Sequence, residues 1–187
     1  LNMTAYQGSA AAQRIFSVID KSISIKNDET LPDLTVKNSE IEFQNVSFKY
    51  ETTSEKAINN INFKIDGGKI TALVGKSGSG KSTIINLIPR FYDPQNGKIL
   101  FDNQNIEKIR LDSLRSNISL VSQDVVLFDN TIRENILYAN PLANEKELEL
   151  ACKYAAADEF IEKLPSKYET LVGENGVKLS GGQKQRI

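Results

Sequence analysis

The sequence predicts a mixed α/β domain with an antiparallel strand subset and a helical part. Three observations predict it. Apolar residues alternate with polar ones from Ile41 to Phe48, and again at Ile61, Phe63 and Ile65, which is the period of a half-buried strand. A short apolar run, Lys69 to Val74, ends on a glycine-rich loop and is followed by a helical pattern. From Thr131 onward the pattern turns helical.

Taken in order, the first segment, Ala5 to Asp20, reads as a helix. Its Gly8–Ala12 run is small and tightly packable, and Ile15, Phe16, Val18 and Ile19 follow. Lys26 to Asp33 is polar, contains Pro32 and reads as a linker, which places a boundary near Lys26. The alternating run from Ile41 is the first strand and Ile61–Ile65 the second. Asp66-Gly67-Gly68 is a turn. Lys69–Val74 fits a buried strand, and Ser82–Leu87 reads as a helix. Pro94–Gly97 turns the chain into a strand at Lys98–Phe101, and Ile118–Val121 is expected as another. Ile132–Tyr138 and Glu145–Ala157 are helices, the charged face of the latter solvated and without a role. Lys178–Gly182 is a loop that opens a last helix.

Composition narrows the function classes. Of 187 residues, 40% are hydrophobic and 25% charged, enough for a sizeable core. Lys and Arg number 23 against 24 Asp and Glu, so no basic field points to nucleic acid. The single cysteine, Cys152, excludes a disulfide framework and reads as a small side chain on a helix. Histidine is absent, which removes a His-dependent triad, a His zinc site and an imidazole base from this sequence. No apolar run approaches the roughly 18 residues of a membrane-spanning helix. Leu1–Thr4 has no basic flank followed by an apolar stretch, so it does not read as a signal peptide, and it lacks an initiating Met, so the sequence is expected to be a piece of a longer chain.

Gly75-Lys76-Ser77-Gly78-Ser79-Gly80-Lys81-Ser82 matches G-x-x-x-x-G-K-[ST], the phosphate-binding loop. Glycines let the backbone curl so that successive N–H groups face an anion. Lys81 supplies a charge for the β- and γ-phosphates, the Ser82 hydroxyl is a ligand for Mg²⁺, and Thr83 completes the ATP-binding set. By average residue usage the pattern arises by chance in about 1% of chains of this length or fewer. A second anion site is suggested by Leu179-Ser180-Gly181-Gly182-Gln183, where a hydroxyl and free N–H groups open a helix.

Together, in this order, these two motifs resemble the ATP-binding cassette (ABC) family, whose signature is LSGGQ. The resemblance implies a P-loop NTPase fold with an antiparallel β subdomain and a helical subdomain. It implies that Leu179–Gln183 contact the ATP held by a second cassette, so that two cassettes sandwich two ATP molecules head to tail. Further positions match singly. Tyr50, closing Val46–Tyr50, is similar to the aromatic that stacks on adenine. Gln123, in Val121-Ser122-Gln123-Asp124, resembles the glutamine that contacts Mg²⁺ and the attacking water, with Asp124 a solvated neighbour. Lys81 and Gln123 are the catalytic candidates, and Ser82 and Gln123 the metal ligands.

Gly173–Lys178 is similar to an exporter-branch loop in which Glu174 would touch the membrane domain. Residues 1–26 resemble the cytoplasmic end of a last transmembrane helix with its linker, which leaves 27–187 as the nucleotide-binding domain. The implied protein is an ATPase on the inner face of the cell membrane. Its partners are ATP, a second cassette and a transmembrane domain, with no nucleic acid. The family's Walker B strand and switch histidine follow the signature helix. The sequence as it stands is therefore expected to bury its sheet incompletely and to hydrolyse ATP poorly. Two alternatives stay open: a soluble, non-transport ABC ATPase, and a remnant that only binds nucleotide.

Overall fold

Four strands form one antiparallel sheet in the order β2-β1-β3-β4, where β1 is Ile41–Phe48, β2 Ile58–Ile65, β3 Asn96–Phe101 and β4 Gln104–Asn105. This computed structural model describes the backbone of residues 2–187, and the side chains of Ser9 and of residues 12–187. Gly8, Ala10 and Ala11 of the small-residue run lie outside the described side chains. By its internal contacts the chain falls into two units, divided between Ser119 and Leu120.

In the first unit β1 is the organising strand. Phe43 faces Phe63 of β2 and Ile99 of β3, and the Phe43 and Phe63 rings stack 4.5 Å apart. Phe43, Val46, Phe48, Ile58, Ile99 and Phe101 are buried together with Leu87, Ile106 and Leu114. The β1 register slips between Phe43 and Val46, where Asn45 takes a φ of 51°. Gly97 (φ 82°) lies against this bulge, and a Cβ there would meet the Gln44 and Asn45 carbonyl oxygens at 2.4 Å. Glycine is therefore required at 97.

Two helices complete this core. α2 (Lys81–Leu87) buries Leu87 and Thr83. α3 (Leu111–Ser116), which the sequence pattern did not reveal, buries Leu111 and Leu114. The N-terminal helix, α1 (Asn2–Ile19), leaves Ile15, Phe16, Val18 and Ile19 more than half exposed.

The polar connector after α1 is fastened to the core. Asn27 Oδ1 accepts from the Leu111 N–H (2.9 Å), Ser113 Oγ accepts from Leu34 N–H (3.0 Å), and Pro32 O accepts from Arg110 N–H. Asp102 accepts four backbone N–H groups, those of Lys37, Asn38, Ser39 and Glu40, at 2.6–3.1 Å. Burial alone would raise the pKa of this carboxyl; the four N–H groups outweigh it and hold the value at about 2.

Two expected strands are not formed. Lys69–Val74 and Ile118–Val121 have no ladder partners among the described residues. Ile70, Val74 and Val121 are exposed, although Ile118 packs against the core. A buried parallel strand needs hydrogen-bonding neighbours at its sides and cover on both faces. An apolar run supplies neither.

The second unit contains α4 (Ile132–Leu137), α5 (Glu145–Tyr154), α6 (Asp158–Ile161) and α7 (Gly181–Arg186). Capping boxes start three of these helices: Thr131 with Glu134, Asn144 with Glu147, and Ser180 with Gln183. The helix expected to reach Ala157 stops at Tyr154, because Ala156 turns to a φ of 51°. Leu127, Ile132, Leu148, Cys152, Ile161, Val172 and Leu179 form a separate core. Cys152 sits on α5 at 2% exposure, as expected of a packing residue. The charged face of α5 is solvated as expected, with Glu145, Lys146, Glu147 and Glu149 exposed; Glu145 alone of these pairs with Arg133, which also pairs with Glu169 and lies over the Tyr168 ring.

Candidate nucleotide-binding site

The glycine-rich loop takes its shape from left-handed backbone that only glycine adopts freely. Gly78 has a φ of 79° and Gly80 a φ of 86°. At Gly80 space is also closed, since a Cβ would meet the Ala57 carbonyl oxygen at 2.7 Å. The loop is thus backed by the residue just before β2. Gly80 is the residue on which α2 begins, and its carbonyl accepts from Ile84 N–H at 2.9 Å.

Lys81 turns back over this loop. Its Nζ donates to Gly75 O (3.0 Å), Lys76 O (2.8 Å) and Ser79 Oγ (3.4 Å). The ammonium is thus held against the loop by two carbonyl oxygens and a hydroxyl. Gly75–Ser79 are exposed around it, and Ser82 is exposed on the first turn of α2. Among the described residues no group of three or more His, Cys, Asp or Glu could hold a metal. A single hydroxyl fits Mg²⁺ only as it is held in phosphate sites, by few protein ligands with phosphate oxygens and water completing the set.

Thr83 lies on the inner side of the same turn. It is 6% exposed, and its Oγ1 accepts from the Tyr50 hydroxyl at 3.1 Å. The Tyr50 ring meets Phe48 and Tyr92 edge-on, with centroids 4.8 and 5.2 Å away. Tyr50, the segment Thr52–Ala57 and Gly78 line an open cleft of about 490 Å³. The structure thus brings Tyr50, the glycine loop, Lys81, Ser82 and Thr83 to one place in the first unit.

The remaining candidates belong to the second unit. Gln123 is exposed, in a loop where Ser122 Oγ donates to Asp124 O. Leu179 is buried and anchors the signature segment. Ser180 Oγ accepts from Gln183 N–H (3.3 Å), and Gln183 Oε1 accepts from Ser180 N–H (2.9 Å). The Ser180 hydroxyl keeps its own proton to donate. Gly181 and Gly182 are exposed, with open space where a Cβ would stand, so a ligand can approach their backbone. The Lys184 ammonium donates to Asn175 O (2.7 Å), tying this helix to the Glu174–Gly176 turn. Glu174 itself is exposed.

Sequence reasoning missed the Thr83 hydroxyl as partner of Tyr50, and Tyr92 as its neighbour. The spacing of 33 residues between Tyr50 and Thr83 carries no local signal.

A profile of the ABC transporter family matches residues 58–187. The chain is 47% identical, over its full length, to an ATP-dependent lipid A-core flippase of Haemophilus influenzae, and spans 32% of that protein. Over 92% of its length it is 47% identical to a putative multidrug export ATP-binding/permease protein of Staphylococcus aureus, of which it covers 30%. Among solved structures it resembles a bacterial Atm1-family ABC exporter with ATP bound: TM-score 0.88, 42% identity, 98% of this chain and 32% of that one. The chain therefore spans about a third of the length of the relatives it matches.

Proposed function

Because the chain belongs to the ABC transporter family, we propose that it is the ATP-binding portion of an exporter, in which ATP binding and hydrolysis drive a substrate across a membrane. The observation that carries this reading is the pairing, in one chain, of the Lys81-centred loop with the Ser180-capped signature helix. Residues 27–187 form the cassette and residues 1–26 its connection to a membrane domain. No helix among the described residues is long and apolar enough to cross a membrane. The relatives are membrane exporters, which supports a place for this cassette at the cytoplasmic face of the cell membrane.

Each residue has a part in the chemistry. Tyr50 offers its ring to the adenine. The loop N–H groups of Gly75–Ser79 would hold the phosphates, that of Ser79 after leaving the Lys76 carbonyl to which it donates at 3.2 Å, and Lys81 would exchange its carbonyl partners for the β- and γ-phosphate oxygens. Ser82 would hold Mg²⁺, which when bound neutralises charge on the phosphate oxygens, and Gln123 is the further ligand that the family resemblance proposes. The Gln123 side-chain amide orients the attacking water in line with the γ-phosphate. Ser180, with the Gly181 and Gly182 N–H groups, meets the γ-phosphate held by a second cassette and stabilises the charge that develops there. Leu179 seats that segment, and Gln183 holds its cap. Closure of the cassette pair on ATP, and its release after hydrolysis, is the stroke passed to the membrane helices through Glu174 and its turn.

The test uses the full-length protein in lipid nanodiscs with MgATP. Lys81→Ala should weaken ATP binding about ten- to a hundredfold and abolish hydrolysis. Ser180→Arg should abolish hydrolysis yet leave ATP bound to the loop of its own subunit. Undiminished hydrolysis in either variant contradicts the reading.

A further inference from the structure

Tyr50 lies two residues past the end of β1, and its ring would swing about two side-chain torsions if nothing held its far end. Phe48 and Tyr92 meet the ring in T-shaped pairs, with centroids 4.8 and 5.2 Å away. The hydroxyl at the far end donates to Thr83 Oγ1 at 3.1 Å. Thr83 is itself buried, 6% exposed, in the first turn of α2, one turn before the fully buried Leu87.

We propose that Thr83 is a positioning residue: its hydroxyl sets the orientation of the Tyr50 ring, and so joins the base-binding platform to the helix that carries Lys81 and Ser82. The inference rests on the reading of Tyr50 as the surface for the nucleotide base. It adds to Thr83, already among the ATP-binding candidates, a role toward the base.

The consequence is a division of affinity. A ring held in its stacking orientation costs the base no ordering on binding; a ring free to rock must be ordered each time. Losing the Thr83 hydroxyl should therefore weaken ligands that carry a base and spare those that do not. The fold-change follows from the loss of one neutral hydrogen bond, about three- to tenfold.

Titration calorimetry on this chain with MgATP and with magnesium tripolyphosphate tests it. Thr83→Val keeps the shape and removes the hydroxyl. It should weaken ATP by about three- to tenfold relative to tripolyphosphate, and Thr83→Ser should restore the ratio. Tyr50→Phe removes the other half of the bond, should give the same selective loss, and carries the test if Thr83→Val does not fold. Equal losses on both ligands, or no loss, overturn the inference. Tyr50→Ala separates the two levels. If it leaves ATP affinity unchanged, the base platform itself is wrong. If it weakens ATP while Thr83→Val and Tyr50→Phe do not, only the positioning role fails.

Discussion

The Tyr50 hydroxyl reaches Thr83 Oγ1 across 3.1 Å and 33 residues of sequence. The aromatic two residues beyond β1 and the helix that follows the glycine loop are thereby joined. Gly80 makes a second connection between the same parts, because its backbone lies close under the Ala57 carbonyl. Sheet and loop are registered against each other at two points, one polar and one steric.

The steric point gives the first prediction. Gly80→Ala combines a left-handed φ with a Cβ 2.7 Å from a backbone oxygen. It should cost about 2 kcal/mol or more of stability and weaken nucleotide binding. Gly181→Ala, at a helical position with open space around it, should leave stability within about 0.5 kcal/mol or raise it slightly. Urea unfolding of the two variants measures the contrast. Equal effects would show that the crowding at Gly80 is not what fixes the loop.

Asp102 governs the acid limb of stability. Its folded pKa, about 2, lies below the ordinary value of 3.8. A depressed carboxyl stabilises the fold fully above the unfolded value, and that contribution is lost as pH falls toward the folded value. The window is therefore about pH 4 down to pH 2. Asp102→Ala should lower stability at pH 7 by about 2–3 kcal/mol, by leaving four N–H groups without their acceptor. It should also flatten the dependence of Tm on pH within that window. A steep acid limb retained in the variant would assign the effect to another carboxyl.

Arg133 is the clasp of the second unit. It joins α4 to Glu145 at the start of α5 and to Glu169, and its guanidinium covers the Tyr168 ring. Both carboxylates are more than half exposed, so either pair alone is weak. Arg133→Gln removes both pairs and the ring contact together, and should cost about 1–2 kcal/mol. Glu145→Gln should cost less than about 1 kcal/mol. Chemical denaturation at low and high salt reads this, and the gap should narrow as salt screens the exposed partners.

Much of the site was legible because its motifs are local. Gly75–Ser82 and Leu179–Gln183 are contiguous runs whose residue types follow from what a phosphate needs. The antiparallel strands were legible from their period of two, Phe43 and Phe63 showing it most plainly. Lys69–Val74 and Ile118–Val121 were not, since an apolar run gives strand propensity but not the neighbours that make a strand. The nest of N–H groups around Asp102 and the bond from Tyr50 to Thr83 join residues 33 to 65 positions apart. Neither has a local signature, and only the folded chain displays them.

The account stands on the loop around Lys81. Its most direct test is equilibrium binding of MgATP to this chain and to its Lys81→Ala variant. The ammonium that now bridges Gly75 O and Lys76 O should move onto phosphate, a charge-assisted contact worth about 1.5–3 kcal/mol. The wild-type chain is predicted to bind ATP saturably, and the variant about ten- to a hundredfold more weakly. Equal affinity of the two proteins would contradict the assignment of this loop as the nucleotide site.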